Sequence, residues 1–370
     1  MAYDDSRPVP VDTDTDTHAN HGLVPTGAAA AALARLDRAT RTFLALDGLD
    51  TGSPRALLHA TAASMHDFIT TIDACEAAGL DRDGLRPRID ALRSLHGRSP
   101  FVNRLQTWPR GYQGDFETVE RLCDATNEAP FNTVAWAIEQ CALQSPIAQQ
   151  HRNKVAIQAR AILATALGLP NPRIASLGCG GCRDLGLVVD CLPPGRGAFV
   201  LTDADAGALE LARTRLAPIG DRCHFVHGRV PRSLSAVARF GPFDLVVAGG
   251  LFDYLPDPWA VTTLRATRRM LAPNGRLLLS NIAAGNPFRP WLEYLAEWRL
   301  IERSEADLRR LLDEAGFPLD RVRIERDTTQ LTLMVDARSA ESDPAAAESP
   351  ASSTCHSSCS RSSGSGSAAC

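Results

Sequence analysis

Two hydrophobic periods divide this chain. From Ala28 onward apolar residues recur at helical spacing, at Leu33, Leu36, Phe43, Leu44 and Leu46. The same spacing returns over residues 57–77, 85–95, 116–125, 131–143 and 147–167. Together these predict an all-helical N-terminal domain of about six helices across residues 23–172. Pro170-Asn171-Pro172 then ends the last helix, and the pattern changes. Short apolar runs follow at 174–177, 198–202, 224–228, 243–248 and 276–281, with helix-like stretches such as 209–213 and 261–271 between them. Alternating strand and helix is what a doubly wound parallel sheet requires. Two late runs, 321–326 and 330–335, read as an antiparallel hairpin closing its far edge. The predicted fold is therefore α/β, with a Rossmann-like sheet over residues 173–338. Residues 1–22 and 339–370 carry no apolar period and are read as disordered tails.

Composition narrows the function. Of 370 residues, 44% are hydrophobic, which is ample for a buried core. A net charge of −4 without a basic tract argues against a general nucleic-acid binder. No apolar run reaches the length that spans a bilayer. The opening Met1-Ala2-Tyr3-Asp4-Asp5 lacks the basic and apolar regions of a signal peptide, so a cytoplasmic location is expected. Of the ten cysteines, Cys75, Cys123, Cys141, Cys191 and Cys223 fall in elements that read as buried, which suits small core residues.

Candidate chemistry concentrates where the first strand ends. Ser176-Leu177-Gly178-Cys179-Gly180-Gly181-Cys182 runs from a strand into a glycine turn. A helix start and a second strand ending on Asp203 follow, which is the order of a nucleotide-binding βαβ unit. Glycines let the backbone approach a ligand, the helix start offers free N–H groups, and the terminal acid can accept hydrogen bonds from a ribose diol. A dinucleotide site wants Gly-x-Gly-x-x-Gly, but Asp184 stands near the third position. The shorter Gly-x-Gly favours S-adenosylmethionine, with a dehydrogenase as the rival. Ligands of such sheets lie outside the carboxyl ends of the strands. That gathers Ser176, Gly178, Cys179, Gly180, Asp203, Ala204, Gly228, Gly249, Leu251 and Phe252 as cofactor-binding candidates. Asp205 is the alternative ribose partner or the cap of the next helix. Leu251 and Phe252 either flank adenine or pack as ordinary apolar residues. Arg152 either pairs with the cofactor carboxylate or lies in solvent. Asp253, Tyr254, Asn281 and Asn286 occupy loops at the same end of the sheet and are candidate acceptor contacts. Cys179 and Cys182 form a Cys-x-x-Cys without a second pair at ligand spacing, so no metal site is expected. Gly111-Tyr112-Gln113-Gly114-Asp115 precedes a helix, as a turn with Asp115 for N-cap or as a lid over the cofactor.

Four segments carry a family resemblance: residues 111–117, 176–180, 250–257 and 281–287. With them the chain resembles class I S-adenosylmethionine-dependent methyltransferases. More narrowly, it resembles the bacterial family for biosynthesis of an extracellular factor, 3-hydroxypalmitic acid methyl ester. Ser176 stands where the wider superfamily often has an acid. The resemblance implies an enzyme that O-methylates a small molecule of secondary metabolism, such as the carboxylate of a hydroxy fatty acid. It favours the lid, with Tyr112, Asp115, Asp253 and Tyr254 as catalytic candidates. A carboxylate needs no strong base, since its pKa lies at about 4–5; a hydroxyl or amine acceptor would call on Tyr112, Asp115 or Asp253. Apolar residues of the helical domain would line an acyl tunnel or form its core. A homodimer is compatible with this picture. Other readings are a methyltransferase acting on a peptide, including its own Ser/Cys-rich tail, and a non-catalytic cofactor-binding regulator.

Overall fold

Side chains at the helix starts decide where the N-terminal helices begin. Asp81, Ser99, Asp115, Thr133 and Ser145 each accept a hydrogen bond from the backbone N–H three residues onward, which satisfies donors that the helix itself leaves free. The computed structural model describes residues 27–49 and 52–340. Among these, seven helices precede the sheet: α1 (Gly27–Leu44), α2 (Pro54–Ala77), α3 (Arg82–His96), α4 (Pro100–Thr107), α5 (Phe116–Asp124), α6 (Val134–Gln144) and α7 (Pro146–Gly168). The one that periodicity does not predict is α4. Its eight residues are two turns, too few to show a period, and its sequence signal is Ser99 as cap with Pro100 behind it.

The helices bury Leu36, Phe43, Phe68, Ile72, Leu85, Ile89, Leu92 and Ile138 completely. Trp291, Leu292, Tyr294, Leu295 and Trp298, from the chain beyond the sheet's fifth strand, belong to the same core. The helical part and the sheet thus share a core, and all described residues fall within one compact unit that ends at Ala340.

The sheet holds β1 (Arg173–Leu177), β2 (Ala198–Asp203), β3 (Cys223–His227), β4 (Phe243–Ala248), β5 (Leu271–Ile282), β6 (Val322–Arg326) and β7 (Thr332–Arg338), in the order β3-β2-β1-β4-β5-β7-β6. Strands β1 to β5 are parallel. The predicted hairpin is present, with β7 wedged antiparallel between β5 and β6. Helices α8 (Arg183–Gly186), α9 (Ala206–Arg215), α10 (Leu234–Ala238), α11 (Asp257–Met270) and α12 (Glu305–Glu314) connect the strands. This is the Rossmann-like doubly wound sheet expected from the alternation. Both β1 and β4 are almost wholly buried, as strands covered on two faces must be. They pair with Ile174 opposite Leu245, and there the strand order reverses, opening a crevice at their carboxyl ends.

Two details differ from expectation. Pro273-Asn274-Gly275 does not separate α11 from β5. The strand starts at Leu271, opposite Phe243, and the register jumps so that Leu245 faces Arg276, which turns the tripeptide into a bulge. Ser339, assigned to the tail, is buried, and its hydroxyl donates to Ala272 O at 2.6 Å. The rest of the expected tails, 1–22 and 341–370, lies outside the described residues.

Candidate functional site

The turn after β1 needs its glycines. Gly178 and Gly180 have φ of 61° and 53°, a region that side chains disfavour. A Cβ on Gly178 would meet Leu251 at 3.5 Å, and one on Gly180 would meet Phe116 at 3.6 Å. The loops after β1 and β4 and the start of α5 therefore converge. Gly180 N–H donates to Asp203 Oδ2 at 2.8 Å, and Asp205 N–H donates to Asp203 Oδ1 at 2.9 Å. Burial raises the Asp203 pKa above the ordinary carboxylate value, against these hydrogen bonds. Ser176 is buried in β1, Gly228 N–H donates to Asp203 O, and Ala204 O lies 3.0 Å from the His227 ring.

Segment 108–115 bridges this crevice. On one side Arg110 Nε donates to Asp205 Oδ2 at 2.6 Å and the Tyr112 hydroxyl to the same atom at 2.9 Å. These bonds, the arginine's foremost, hold the Asp205 carboxyl down at about 2. Asp205 also caps α9, through Gly207 N–H. On the other side Trp108 Nε1 donates to Glu297 O, and Arg299 N–H donates to Gln113 Oε1. Gly114 makes the bridge fit: a Cβ there would lie 1.9 Å from the Tyr254 hydroxyl.

Asp115 caps α5 through Thr118 N–H, and both of its carboxylate oxygens also accept from Arg104 Nη2, at 2.7 and 2.8 Å. It is 1% exposed. Asp115→Ala should therefore cost about 2–4 kcal/mol, more than the ~1 kcal/mol of a cap alone. Urea unfolding measures this, and a loss below 1 kcal/mol would show that the Arg104 pair contributes nothing.

Four expected residues have structural partners instead. Arg152 donates to the carbonyls of Leu122 and Leu143 and to Gln149 Oε1. It fastens the carbonyl-rich ends of α5 and α6 to α7, where a cation is favoured, and does not point a free guanidinium at the crevice. Phe252 is 1% exposed and packs in the sheet core, so Leu251 alone faces the glycine loop. Asn281 is fully buried, bonded to Ile282 O, Ile301 O and Arg303, and is a structural knot. Asn286 Oδ1 accepts from Phe288 N–H and shapes its own turn. Cys179 and Cys182 are free thiols whose pKa values lie above the usual thiol range.

Sequence reasoning missed the contribution of α7. Its Gln150, His151, Lys154 and Gln158 are all buried. Lys154 Nζ lies 3.8 Å from Asp253 Oδ2, while Asp253 Oδ1 accepts from Ile282 N–H at 2.7 Å. Gln158 fills the space over Gly249, where a Cβ would lie 1.8 Å from its amide. Tyr254 Oη accepts from Trp298 Nε1 at 2.8 Å, and Trp298 stacks on His151.

Residues 175–277 match the family described as "Methyltransferase domain". The match spans β1 to β5, the strands whose ends form the crevice. A "Ubiquinone biosynthesis O-methyltransferase" of Pseudomonas aeruginosa (strain LESB58) is 28% identical over 147 residues, 39% of this chain and 60% of that protein. The chain thus spans about 60% of that curated relative's length. A solved Bordetella parapertussis chain, described as a possible exported protein, superposes with a TM-score of 0.50 at 20% identity, covering 85% of this chain and 97% of that one. It shares the fold across both the helical part and the sheet. The magnesium protoporphyrin IX methyltransferase of Synechocystis PCC 6803, solved with S-adenosylmethionine bound, is similar at a TM-score of 0.41 and 17% identity, over 60% and 90% of the two chains. No helix among the described residues is long and apolar enough to cross a membrane.

Proposed function

We propose that this protein is an S-adenosylmethionine-dependent methyltransferase acting on a small molecule. The observation that carries the reading is the Asp203 carboxylate, held against the Gly178–Gly180 turn at the point where strand order reverses. The residues present fit the cofactor. The glycine turn leaves a cradle without side chains beneath Leu251, and Asp203 offers acceptor oxygens to a ribose. When bound, S-adenosylmethionine supplies an electrophilic methyl group. Asp203 and the glycine turn would hold it, and segment 108–115 would cover it and exclude water.

Within this reading the reaction is an O-methylation, and the acceptor is the carboxylate of a hydroxy fatty acid. Support comes from the four resembling segments and from relatives named O-methyltransferases. A carboxylate asks the protein mainly for alignment, which contributes on the order of 7–11 kcal/mol to barrier reduction. Tyr112, Tyr254 and Trp298 then form the acceptor side of the crevice.

Calorimetry tests the cofactor. S-adenosylmethionine and S-adenosylhomocysteine should bind and NAD should not; binding of NAD alone would overturn the reading in favour of a dehydrogenase.

A further inference from the structure

The glycine turn holds two thiols within reach of one another. Cys182 N–H donates to Cys179 O at 2.9 Å, which closes a four-residue turn over Gly180 and Gly181. Such a turn brings its end Cα atoms within about 7 Å, and a disulfide spans Cα separations of roughly 4.4–6.8 Å. Both side chains leave the turn on the same side. Cys182 is buried in the apolar cluster that holds Ile162, Phe199 and Leu201, and Cys179 packs against that cluster. Both thiols are free, and they are in contact. Among the described residues no group of three or more His, Cys, Asp or Glu side chains could hold a metal ion, which leaves thiol chemistry.

The pair is placed asymmetrically. Cys179 stands between Gly178 and Gly180, the two left-handed glycines of the cradle, and is partly exposed, whereas Cys182 is buried. A small oxidant therefore meets Cys179 first, with Cys182 behind it. Cys182 has φ of 51°, a backbone that a cysteine adopts only at a cost. Contact with Cys182 lowers the Cys179 pKa, and burial with the Asp203 and Asp184 carboxylates carries it above the ordinary thiol value. Contact with Cys179, then burial, push Cys182 higher still. The Cys182 thiol is thus the donor and the Cys179 sulfur the more readily ionised of the two, which suits Cys179 as the sulfur attacked by no one and attacking first.

We propose that Cys179 and Cys182 form an oxidation site, at which a peroxide makes a disulfide that closes the glycine turn to the cofactor. The inference rests on the methyltransferase reading and adds regulation to its site. The Cys179 sulfur attacks one peroxide oxygen and the O–O bond breaks, leaving a sulfenic acid and water. The Cys182 sulfur then attacks the Cys179 sulfur, and the S–O bond breaks. The departing hydroxide takes the Cys182 proton as a second water. Two thiols and one hydrogen peroxide thus give one disulfide and two waters. Drawing the sulfurs from contact to bonding distance pulls Cys179 toward the apolar cluster and shifts Gly178 and Gly180 on either side of it. The Gly180 N–H bond to Asp203 lies in the path of that movement.

The test treats the full chain with hydrogen peroxide at mildly alkaline pH, where thiols of raised pKa begin to ionise. Peptide mass mapping reads the cross-link, and calorimetry reads affinity for S-adenosylhomocysteine. A Cys179–Cys182 disulfide should form, and affinity should fall at least about tenfold, the equivalent of one lost hydrogen bond to a charged group. Dithiothreitol should restore it. Cys182→Ser, which cannot form the bond, should match the reduced wild type and keep its affinity through the same treatment. Absence of the cross-link, a cross-linked protein with undiminished affinity, or an equal loss in Cys182→Ser overturns the proposal. If the variant fails to fold, the reduced, oxidised and re-reduced wild type still decide it. Failure of the reduced wild type to bind S-adenosylhomocysteine is a separate result and overturns the methyltransferase reading itself.

Discussion

Asp203→Ala is expected to weaken S-adenosylmethionine binding by about 1.5–3 kcal/mol, a roughly 10- to 150-fold rise in Kd. The carboxylate ends β2 beside the glycine turn and does two things there. It ties down the Gly180 and Asp205 N–H groups, and in the proposed reading its remaining lone pairs accept from the ribose. Alanine removes both, so the turn loses its anchor together with the ligand contact. Asp203→Asn keeps one acceptor oxygen and should fall between. Acid gives an independent check. Burial raises the Asp203 pKa above 3.8, so affinity should decline as pH falls through that raised value, earlier than an ordinary carboxylate would dictate. Its effect on stability has the opposite sign. A carboxyl with a raised folded pKa favours the fold when protonated, and that contribution is lost as pH rises through the folded pKa. Affinity and the Asp203 share of stability should therefore diverge in acid. Full affinity in a folded Asp203→Ala protein would move the ribose role elsewhere, although Asp205 is already occupied by Arg110 and Tyr112.

The parts of this molecule that could be read from sequence are those whose physics is local. Strand and helix alternation follows from hydrophobic period. The turn at Gly178 follows from residues that tolerate a left-handed backbone, and the hairpin of β6 and β7 from two apolar runs flanking a short polar turn. The edge position of that hairpin was also foreseeable, though not that β7 would be its inner strand. Other features depend on partners far along the chain. Arg110 looks like any exposed arginine until the fold brings Asp205 to it across 95 positions. Arg152 sits in a polar stretch, and only the packing of α5 and α6 on α7 shows that carbonyls occupy it. Leu251 and Phe252 are equivalent as letters. Gly250, with φ of 83°, turns the backbone between them and β4, sending Leu251 to the crevice and Phe252 to the core. The largest omission is the stripe Gln150, His151, Lys154 and Gln158. In sequence it reads as a solvated helix face, because polar residues carry no mark of burial. Its placement comes from the sheet, whose β4 loop has two adjacent glycines and so lets those side chains approach the backbone.

That stripe gives the largest expected effect on stability. Lys154→Met should destabilise the protein by about 3–5 kcal/mol, because it strands the Asp253 carboxylate in the interior. Asp253 is 2% exposed and Lys154 5%. Burial pushes the Asp253 pKa up and the Lys154 pKa down, and in each the attraction of the other opposes the shift without cancelling it. Desolvation thus outweighs attraction, and the pair adds little net stability even though losing one member is severe. The double variant Lys154→Met with Asp253→Asn should recover most of the loss. Asparagine can still accept from Ile282 N–H, the bond Asp253 makes now. Denaturant unfolding of the two single variants and the double gives the coupling directly; additive losses would mean the charges do not interact. The same set decides what Asp253 does for the reaction. Lys154 Nζ lies 3.2 Å from where a Gly250 side chain would start, so the pair supports the loop that carries Leu251 to the glycine turn. If Asp253 only holds that loop, turnover returns with stability in the double variant. If its carboxylate takes part in the chemistry, the double variant regains its fold and stays inactive.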